Sequence, residues 1–224
     1  MIIKICGMRE AENIRAVEAL RPDWMGFVFW PKSKRFVSGL PGYMPVHAKR
    51  VGVFVDEDVE QVVRTAKDYA LDLVQLHGSE SPEYVGRLKA ATALQLCREV
   101  RVIKAFNIAT AADFAATIPY EGLADYYLFD TRVTVPAGSP AGSALPGGSG
   151  QQFDWSVLAS YAGKPPFILS GGIGPDDAAH LRSLFRAGSA TVAEKCIGID
   201  LNSRFEKAPG LKDVNQLKVF MQSL

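Results

Sequence analysis

Apolar residues cluster in eight short runs along the 224-residue chain. Each run is apolar through most of its length and does not alternate with polar residues. This pattern is typical of strands in a parallel sheet that is buried on both faces. The runs therefore predict eight strands, which extend over Ile2 to Cys6, Trp24 to Phe29, Arg50 to Val55, Leu71 to Leu76, Val102 to Phe106, Asp125 to Phe129, Pro166 to Leu169 and Cys196 to Leu201.

Helical patterns lie between most of these runs. The clearest follows the third strand, where apolar residues recur with a helical period from Val59 to Ala70. Proline with acidic residues in the first turn marks the start of two more helices, at Ser81-Pro82 and at Gly174-Pro175. Asp213 to Gln222 predicts a closing helix. Two prolines leave little room for a helix between Ser38 and Ala48, which we expect to be short or irregular.

The strict alternation of strand and helix predicts a parallel sheet with right-handed crossovers, and eight such repeats close a barrel. The alternative is an open doubly wound sheet. That arrangement usually has about five or six strands and often a GxGxxG turn after the first, where this chain has Cys6-Gly7-Met8-Arg9. We therefore predict an α/β fold in which residues 1–224 form a single (β/α)8 TIM barrel domain.

The segment 132–152 is rich in Gly, Pro, Ala and Ser, as linkers between domains are. Only two strands are predicted after it, too few for an independent α/β domain, and the strand-helix repeat resumes at Phe153. A long loop after the sixth strand is the better interpretation. In a barrel, such a loop lies at the carboxyl-terminal end of the strands, where active-site lids are found.

Charge and cysteine content argue against several classes of protein. The 25 Lys and Arg residues nearly balance the 24 Asp and Glu residues, so no basic surface for nucleic acid is predicted. The three cysteines lack CxxC spacing, which argues against a disulfide framework and a structural zinc site. No signal peptide and no run of ~20 apolar residues for a membrane-spanning helix is found. We expect a cytoplasmic protein with a small-molecule partner, acting as a monomer or a homodimer.

Residues at the carboxyl ends of barrel strands point toward the active site, so these positions carry the candidate chemistry. Cys6 ends the first strand. A free cysteine is commonly a small buried hydrophobic residue, but a thiol at a strand end can act as a base where its neighbours favour the thiolate. Asp130 follows the sixth strand, where its carboxylate either faces the barrel mouth or caps the next segment. At the mouth, partial desolvation would keep it protonated as an acid.

Three further residues follow predicted strands. His77 is typical of an orienting group or of a histidine whose hydrogen bonds are satisfied within the protein, and not of a metal ligand, because His47 and His180 lie elsewhere in the pattern. Arg35 belongs to a basic loop that is either a solvated turn or a site for a planar carboxylate, whose two oxygens a guanidinium can bind together. Asp56 precedes the helix predicted after the third strand and is expected to cap it. We expect neither a metal nor an organic cofactor.

Two loops late in the chain predict a phosphate site. Gly171 and Gly172 precede a predicted helix, and glycines let backbone N–H groups approach an anion closely. A lone Gly-Gly turn is weak evidence, but Asn202 and Ser203 follow the eighth strand in the same way. Barrel enzymes frequently bind phosphate with the loops after strands seven and eight. We therefore expect a phosphorylated small molecule as the ligand.

Short motifs, taken in order along the chain, resemble those of the phosphoribosylanthranilate isomerase family. The resemblance runs from the first strand to the last, and the ordered set is specific although no single motif is. The motifs are Lys4-Ile5-Cys6-Gly7, Gly26-Phe27-Val28-Phe29 with Ser33-Lys34-Arg35, Val51-Gly52-Val53-Phe54, Gln75-Leu76-His77-Gly78, Phe129-Asp130, Gly148-Ser149-Gly150 with Phe153-Asp154-Trp155, Leu169-Ser170-Gly171-Gly172-Ile173 and Gly198-Ile199-Asp200.

This resemblance implies an Amadori rearrangement in tryptophan biosynthesis, which converts N-(5'-phosphoribosyl)anthranilate to 1-(2-carboxyphenylamino)-1-deoxyribulose 5-phosphate. It implies Asp130 as the general acid and Cys6 as the general base, a pair that needs no metal. By the same resemblance, Arg35 would bind the anthranilate carboxylate, and the loops after strands seven and eight would bind the phosphate.

The chain departs from the family pattern in two places. Asn202-Ser203-Arg204 replaces the frequent Ser-Ser-Gly, so Arg204 either hinders the approach of the backbone to phosphate or adds a charge there. The loop 132–147 is longer than the usual connection. Other phosphosugar barrels fit less well, because an epimerase would need metal-ligating His and Asp residues and an indole-forming synthase would need catalytic lysines. A noncatalytic phosphate-binding barrel is disfavoured by the retention of Cys6 and Asp130.

Overall fold

A computed structural model of the chain describes residues 1–131, 152–187 and 189–224. Eight parallel strands pair in sequence order, and β1 pairs with β8 to close the barrel, which confirms the predicted fold class. Several predicted strand ends shift by one or two residues; for example, the sixth strand extends past Asp130. The strands are β1 (Ile2–Ile5), β2 (Trp24–Val28), β3 (Lys49–Phe54), β4 (Leu73–Leu76), β5 (Arg101–Ile108), β6 (Tyr126–Thr131), β7 (Phe167–Leu169) and β8 (Cys196–Leu201).

Helices pack around the barrel, although several connections use 3-10 turns in place of α-helices. After β8 the chain also forms a small antiparallel hairpin. The α-helices are α1 (Ala11–Glu18), α2 (Val59–Asp68), α3 (Pro82–Leu96), α4 (Ala178–Ala187), α5 (Ala190–Lys195) and α6 (Val214–Gln222), the 3-10 turns are Ala111–Tyr120, Trp155–Ser160, Pro175–Asp177 and Ser203–Phe205, and the hairpin strands are β9 (Glu206–Ala208) and β10 (Leu211–Lys212).

Two of the predicted helices start with the expected capping chemistry. Ser81 caps α3 by accepting a hydrogen bond from the backbone N–H of Tyr84, and Pro82 occupies the first turn. Asp213 caps α6 in the same way. The periodic face of α2 is buried as predicted, but Ala70 lies beyond the helix with a φ of 48°. The segment 38–48 has no helix, which confirms the irregular connection after β2.

Apolar side chains fill the interior of the barrel near the amino-terminal end of the strands. Six of these residues are Trp24, Val51, Leu73, Ile103, Leu128 and Ile168. A second, larger apolar shell lies between the strands and the helices. Side chains alternate along a strand, so every second residue points into the barrel. The inward residues that follow this apolar layer lie nearer the carboxyl-terminal end of the strands, and several of them are polar.

Asp56 does not cap a helix, contrary to the prediction from its position. The N-cap of α2 is Asp58, whose side chain makes no capping hydrogen bond. Asp56 instead adopts a positive φ of 50°, and its Oδ1 accepts from the backbone N–H of Ser79 at 2.6 Å. Its own N–H donates to Glu80. The acidic residue therefore joins the loops after β3 and β4, a pairing that its sequence neighbours do not reveal.

The long loop predicted after the sixth strand cannot be compared with the structure. The long loop 132–152, including its segment 132–147, falls almost wholly outside the described residues, as does the Gly148-Ser149-Gly150 motif. Among the helices of the residues that are described, none has the length and apolar character needed to cross a membrane.

Candidate active site

A cavity of about 330 Å³ opens at the carboxyl-terminal end of the barrel strands. Its wall combines residues from the ends of several strands with the loops after β2, β7 and β8. Cavities of this size hold small molecules. Every residue that the sequence assigned to the site lines this cavity, namely Cys6, Arg35, His77, Asp130, Gly171, Gly172, Asn202 and Ser203.

Cys6 directly follows β1 and is 4 % exposed. Lys4 lies two positions earlier and therefore on the same face of the strand. The fully buried Lys4 donates from Nζ to Asp200 Oδ1 across the β1–β8 pairing at 2.9 Å. Burial raises the pKa of the Cys6 thiol above its usual range, and the ammonium of Lys4 is the main influence against that shift. Lys4 is thus the buried charge that most favours a thiolate at Cys6.

Asp130 faces the cavity from β6 and is 6 % exposed. Its Oδ1 accepts from the backbone N–H of Thr131, and its Oδ2 lies 3.4 Å from Nε2 of His77. Gln75 Nε2 lies 2.9 Å from His77 Nδ1 and can only donate, so Nδ1 accepts and Nε2 faces Asp130. Within the described residues, His77 Nε2 and Gln75 Oε1 have no hydrogen-bond partner. Both atoms are buried, so the cavity wall holds hydrogen-bonding capacity that is unused.

Gly171 lies directly against the end of β6. Its φ is 89°, a conformation that L side chains rarely adopt. A Cβ at this position would collide with Thr131 Oγ1 and lie 3.0 Å from Asp130 Oδ1. The sequence assigned Gly171 to phosphate binding alone, but its absent side chain also makes room for the Asp130 carboxylate.

The two loops predicted to bind phosphate are neighbours in the structure. Gly172 has a φ of 66°, and Asn202 and Ser203 begin the turn after β8. Arg204 extends over the loop after β7, where a Cβ on Gly174 would lie 3.1 Å from Arg204 Nε and Nη2. The bulky residue of the unusual Asn-Ser-Arg sequence therefore packs on the loop after β7, while Asn202 and Ser203 line the cavity.

Arg35 reaches the cavity as predicted, but its guanidinium already binds a carboxylate. Arg35 Nη2 donates to Glu206 Oε2 at 2.7 Å, and Nε donates to both oxygens of Glu206. Lys212 Nζ lies 2.7 Å from Glu206 Oε1. Burial alone would raise the pKa of Glu206, yet Arg35 and Lys212 hold it below its usual range. Burial lowers the pKa of Lys212 to about 8, against the opposite effect of the neighbouring Glu206 carboxylate.

Sequence reasoning missed four charged residues of the site: Lys4, Asp200, Glu206 and Lys212. A signal for the first two existed, because each is a single charged residue inside a strand predicted to be buried on both faces, and their charges are opposite. No comparable signal existed for the other two. They belong to the hairpin after β8, which the strand-helix pattern does not predict.

The remaining histidines do not join the site. His180 lies in α4, where its ring stacks on Trp155, and His47 lies in the loop before β3. Across residues 1–131, 152–187 and 189–224, no group of three or more His, Cys, Asp or Glu side chains is arranged to hold a metal ion.

Comparison with known proteins identifies the family. Residues 3–223 match the family model of N-(5'phosphoribosyl)anthranilate (PRA) isomerase. N-(5'-phosphoribosyl)anthranilate isomerase of Parabacteroides distasonis is 46% identical, with 100% of this chain and 93% of the relative covered. Phosphoribosyl anthranilate isomerase from Thermus thermophilus has a TM-score of 0.74 at 27% identity, covering 100% of this chain and 98% of that one. A second structure of such an enzyme contains reduced 1-(o-carboxyphenylamino)-1-deoxyribulose 5-phosphate and has a TM-score of 0.73 at 27% identity, with the same coverage. The chain therefore belongs to the N-(5'-phosphoribosyl)anthranilate isomerase family.

Proposed function

We propose that this cavity converts N-(5'-phosphoribosyl)anthranilate to 1-(2-carboxyphenylamino)-1-deoxyribulose 5-phosphate with Asp130 as general acid and Cys6 as general base. The observation that carries this proposal is that both groups line one cavity. The same cavity is lined by Arg35 in the loop after β2, by the glycines after β7 and by Asn202 after β8. The ligand of the related structure has a carboxylate on an aromatic ring at one end and a phosphate at the other. Both ends therefore need anion-binding groups.

The reaction requires two proton transfers at different atoms. Asp130 gives its proton to the furanose ring oxygen, and the ring bond from that oxygen to C1 breaks as the amine nitrogen forms a Schiff base. Cys6 then removes the proton from C2, which yields an enol-amine. This intermediate tautomerises to the ketone as C1 takes up a proton and the C2 hydroxyl releases one, so that Cys6 returns to the thiolate and Asp130 to its protonated form. An acid and a base on different strands are sufficient for these steps.

Cys6 acts as the thiolate, so its charge must be stabilised in a buried place. Lys4 provides this stabilisation, because its ammonium is fully buried and close to the thiol. Burial lowers the pKa of Lys4, but Asp200 and Cys6 together raise it above its usual value. Lys4 therefore stays charged while Cys6 gains and loses its proton.

The two ends of the substrate bind at separate groups. Arg35 receives the anthranilate carboxylate, because a guanidinium can bind both carboxylate oxygens. Gly171, Gly172, Asn202 and Ser203 surround the phosphate, where glycines allow backbone N–H groups to approach an anion. His77 orients the substrate from the cavity wall, where its Nε2 lies 3.4 Å from Asp130 Oδ2.

The chain acts as one barrel domain over residues 1–224. Support comes from β6 and β7, which pair with each other although the segment 132–151 separates them. The working compartment is reducing, as in the cytoplasm, because the base must remain a free thiol. The partner is a small phosphorylated substrate, and neither nucleic acid nor a membrane takes part.

The test is an assay of the purified protein with freshly generated N-(5'-phosphoribosyl)anthranilate. We expect the substrate fluorescence to fall at a rate proportional to enzyme concentration, and the product to match the deoxyribulose phosphate by mass and chromatography. Dialysis against EDTA should leave this rate unchanged, because the proposed acid and base need no metal. The proposal would be contradicted if the fluorescence did not fall in the presence of the enzyme, or if it fell only after metal was added.

A change at Gly171 should slow the reaction through Asp130. Gly171→Ala places a methyl group 3.0 Å from Asp130 Oδ1 and still closer to Thr131, so the acid must move. We expect kcat to fall on the order of tenfold, because small displacements of catalytic groups are costly. Gly122→Ala is the matched control, since its φ of 81° is similar but its Cβ would meet nothing within 4 Å.

Both alanine variants should lose about 1–2 kcal/mol of stability from the left-handed backbone. Thermal melting reports this shared cost, and steady-state kinetics reports the difference in kcat. Equal kcat values for the two variants would show that Gly171 does not position the acid.

A further inference from the structure

A buried charged cluster lies beside the cavity and supplies neither the acid nor the base of the proposed proton transfers. It consists of Arg35, Glu206 and Lys212, whose side chains are 15 %, 4 % and 0 % exposed. Glu206 accepts from both basic residues, each at 2.7 Å. Buried ions are costly unless they are paired and hydrogen-bonded, and here each charge has a partner of opposite sign. The cluster is therefore well formed before any substrate binds.

Glu206 determines which edge of the Arg35 guanidinium remains for a ligand. A guanidinium is planar and carries five N–H groups arranged along fixed edges. Glu206 occupies the edge formed by Nε and Nη2. The edge formed by Nη1 and the second hydrogen of Nη2 is the one left to a carboxylate in the cavity. Arg35 can thus bind two carboxylates, one from the protein and one from a ligand.

Lys212 keeps this cluster positive. Glu206 by itself would cancel the charge of Arg35, and a neutral pair would attract an anionic ligand only weakly. With Lys212 included, two positive charges face one negative charge. The net positive charge is close to the cavity because Arg35 lines it. The cluster therefore attracts the carboxylate of a ligand although Glu206 is bound to Arg35.

Lys212 also holds the loop after β8. Its Nζ donates to the carbonyl oxygen of Asn202 at 3.1 Å and to Asn202 Oδ1 at 2.8 Å. Gly7, with a φ of 77°, allows this arrangement, because a Cβ there would lie 2.6 Å from Arg35 Cδ and 2.8 Å from Asn202 Oδ1. One ammonium thus contacts both the partner of Arg35 and a residue of the proposed phosphate site.

The backbone of Lys212 is anchored independently of its charge. Its N–H donates to Asn13 Oδ1 at 2.8 Å, and its carbonyl oxygen accepts from Asn13 Nδ2 at 2.9 Å. This pair of hydrogen bonds joins the hairpin to α1. A substitution that removes only the ammonium should therefore leave the path of the chain in place.

We propose that Lys212 is a positioning residue that couples the two anion-binding ends of the cavity: through Glu206 it orients and charges Arg35, and through Asn202 it shapes the phosphate site. This inference rests on the proposed function, because it takes Arg35 and Asn202 as substrate-binding groups. Glu206 serves only the carboxylate end, whereas Lys212 serves both ends.

The test compares inhibition by two small anions, benzoate for the carboxylate end and inorganic phosphate for the phosphate end. We expect Glu206→Gln to weaken inhibition by benzoate about tenfold, because the loss of the carboxylate that fixes the orientation of Arg35 outweighs the gain in net positive charge. Inhibition by phosphate should not change. Lys212→Met should weaken both by about tenfold. Lys89→Met is the matched control, because Lys89 forms a salt bridge with Asp125 outside the cavity and should change neither constant.

Inhibition constants report only active enzyme, so a partly unfolded variant does not imitate the expected pattern. If Lys212→Met does not fold, Lys212→Gln replaces it, with benzoate inhibition again expected to weaken. An unchanged benzoate constant in Glu206→Gln, or an unchanged phosphate constant in a folded Lys212 variant, would overturn the inference. A parent protein that does not turn over the substrate would instead contradict the proposed function.

Discussion

Asp130→Asn should lower kcat by at least ~10²-fold, the lower range for the loss of a positioned acid or base. The amide has nearly the shape of the carboxyl group but cannot give a proton to the ring oxygen, so the furanose ring does not open. Its Oδ1 can still accept the hydrogen bond that Thr131 N–H donates to Asp130. The variant should therefore fold, and steady-state turnover is the decisive measurement.

Asp125→Asn provides the matched control for this prediction. Asp125 precedes the same strand, where it accepts from the backbone N–H of Val102 and pairs with Lys89. It lies at the opposite end of β6 from the cavity, so its loss should reduce stability more than kcat. Near-parental turnover by a folded Asp130→Asn protein would mean that another group supplies the proton.

Cys6→Ser should lower kcat by a similar factor, at least ~10²-fold, for a different reason. A serine hydroxyl loses its proton far less readily than a thiol, so the variant has no base of suitable strength for the C2 proton. The substitution removes little buried volume, and the fold should persist. Circular dichroism and melting temperature, measured beside turnover, separate a chemical loss from unfolding.

Cys196→Ser is the matched control for the buried cysteine. Cys196 is 6 % exposed, and burial raises the pKa of its thiol to about 12. It begins β8, at the end of the barrel away from the cavity, so its replacement should leave kcat nearly unchanged. A larger loss of kcat at Cys196 than at Cys6 would contradict the assignment of the base.

The pH dependence gives this assignment a second test. Burial raises the pKa of Cys6 above its usual range, so the thiol is mostly protonated at neutral pH. The base is the thiolate, whose population grows as pH rises toward that pKa. We therefore expect kcat/KM of the parent to increase with pH through neutrality, until the Lys212 ammonium begins to lose its proton near its pKa of about 8. Cys6→Ser should lose this increase; if it keeps the same rising limb, the limb belongs to another group.

The sequence alone determined the barrel and the place of the chemistry. Strands buried on both faces must be apolar along their length, so the eight strands are visible as local runs. Once the strands are parallel and closed, their carboxyl ends meet at one end of the barrel. Cys6, His77 and Asp130 could therefore be placed at a common site from their positions beside strand ends, and they line one cavity.

Only the tertiary structure decided which charges meet. Lys4 pairs with Asp200 because β1 closes onto β8, and Arg35 meets Glu206 because the hairpin after β8 folds back toward the loop after β2. Such contacts depend on chain closure and on the path of an irregular segment. Periodicity reports only which residues share a face within one element, and it contains no information about partners far away in the chain. For that reason the sequence located the proposed acid and base, whereas the buried cations beside them became visible only in the folded barrel.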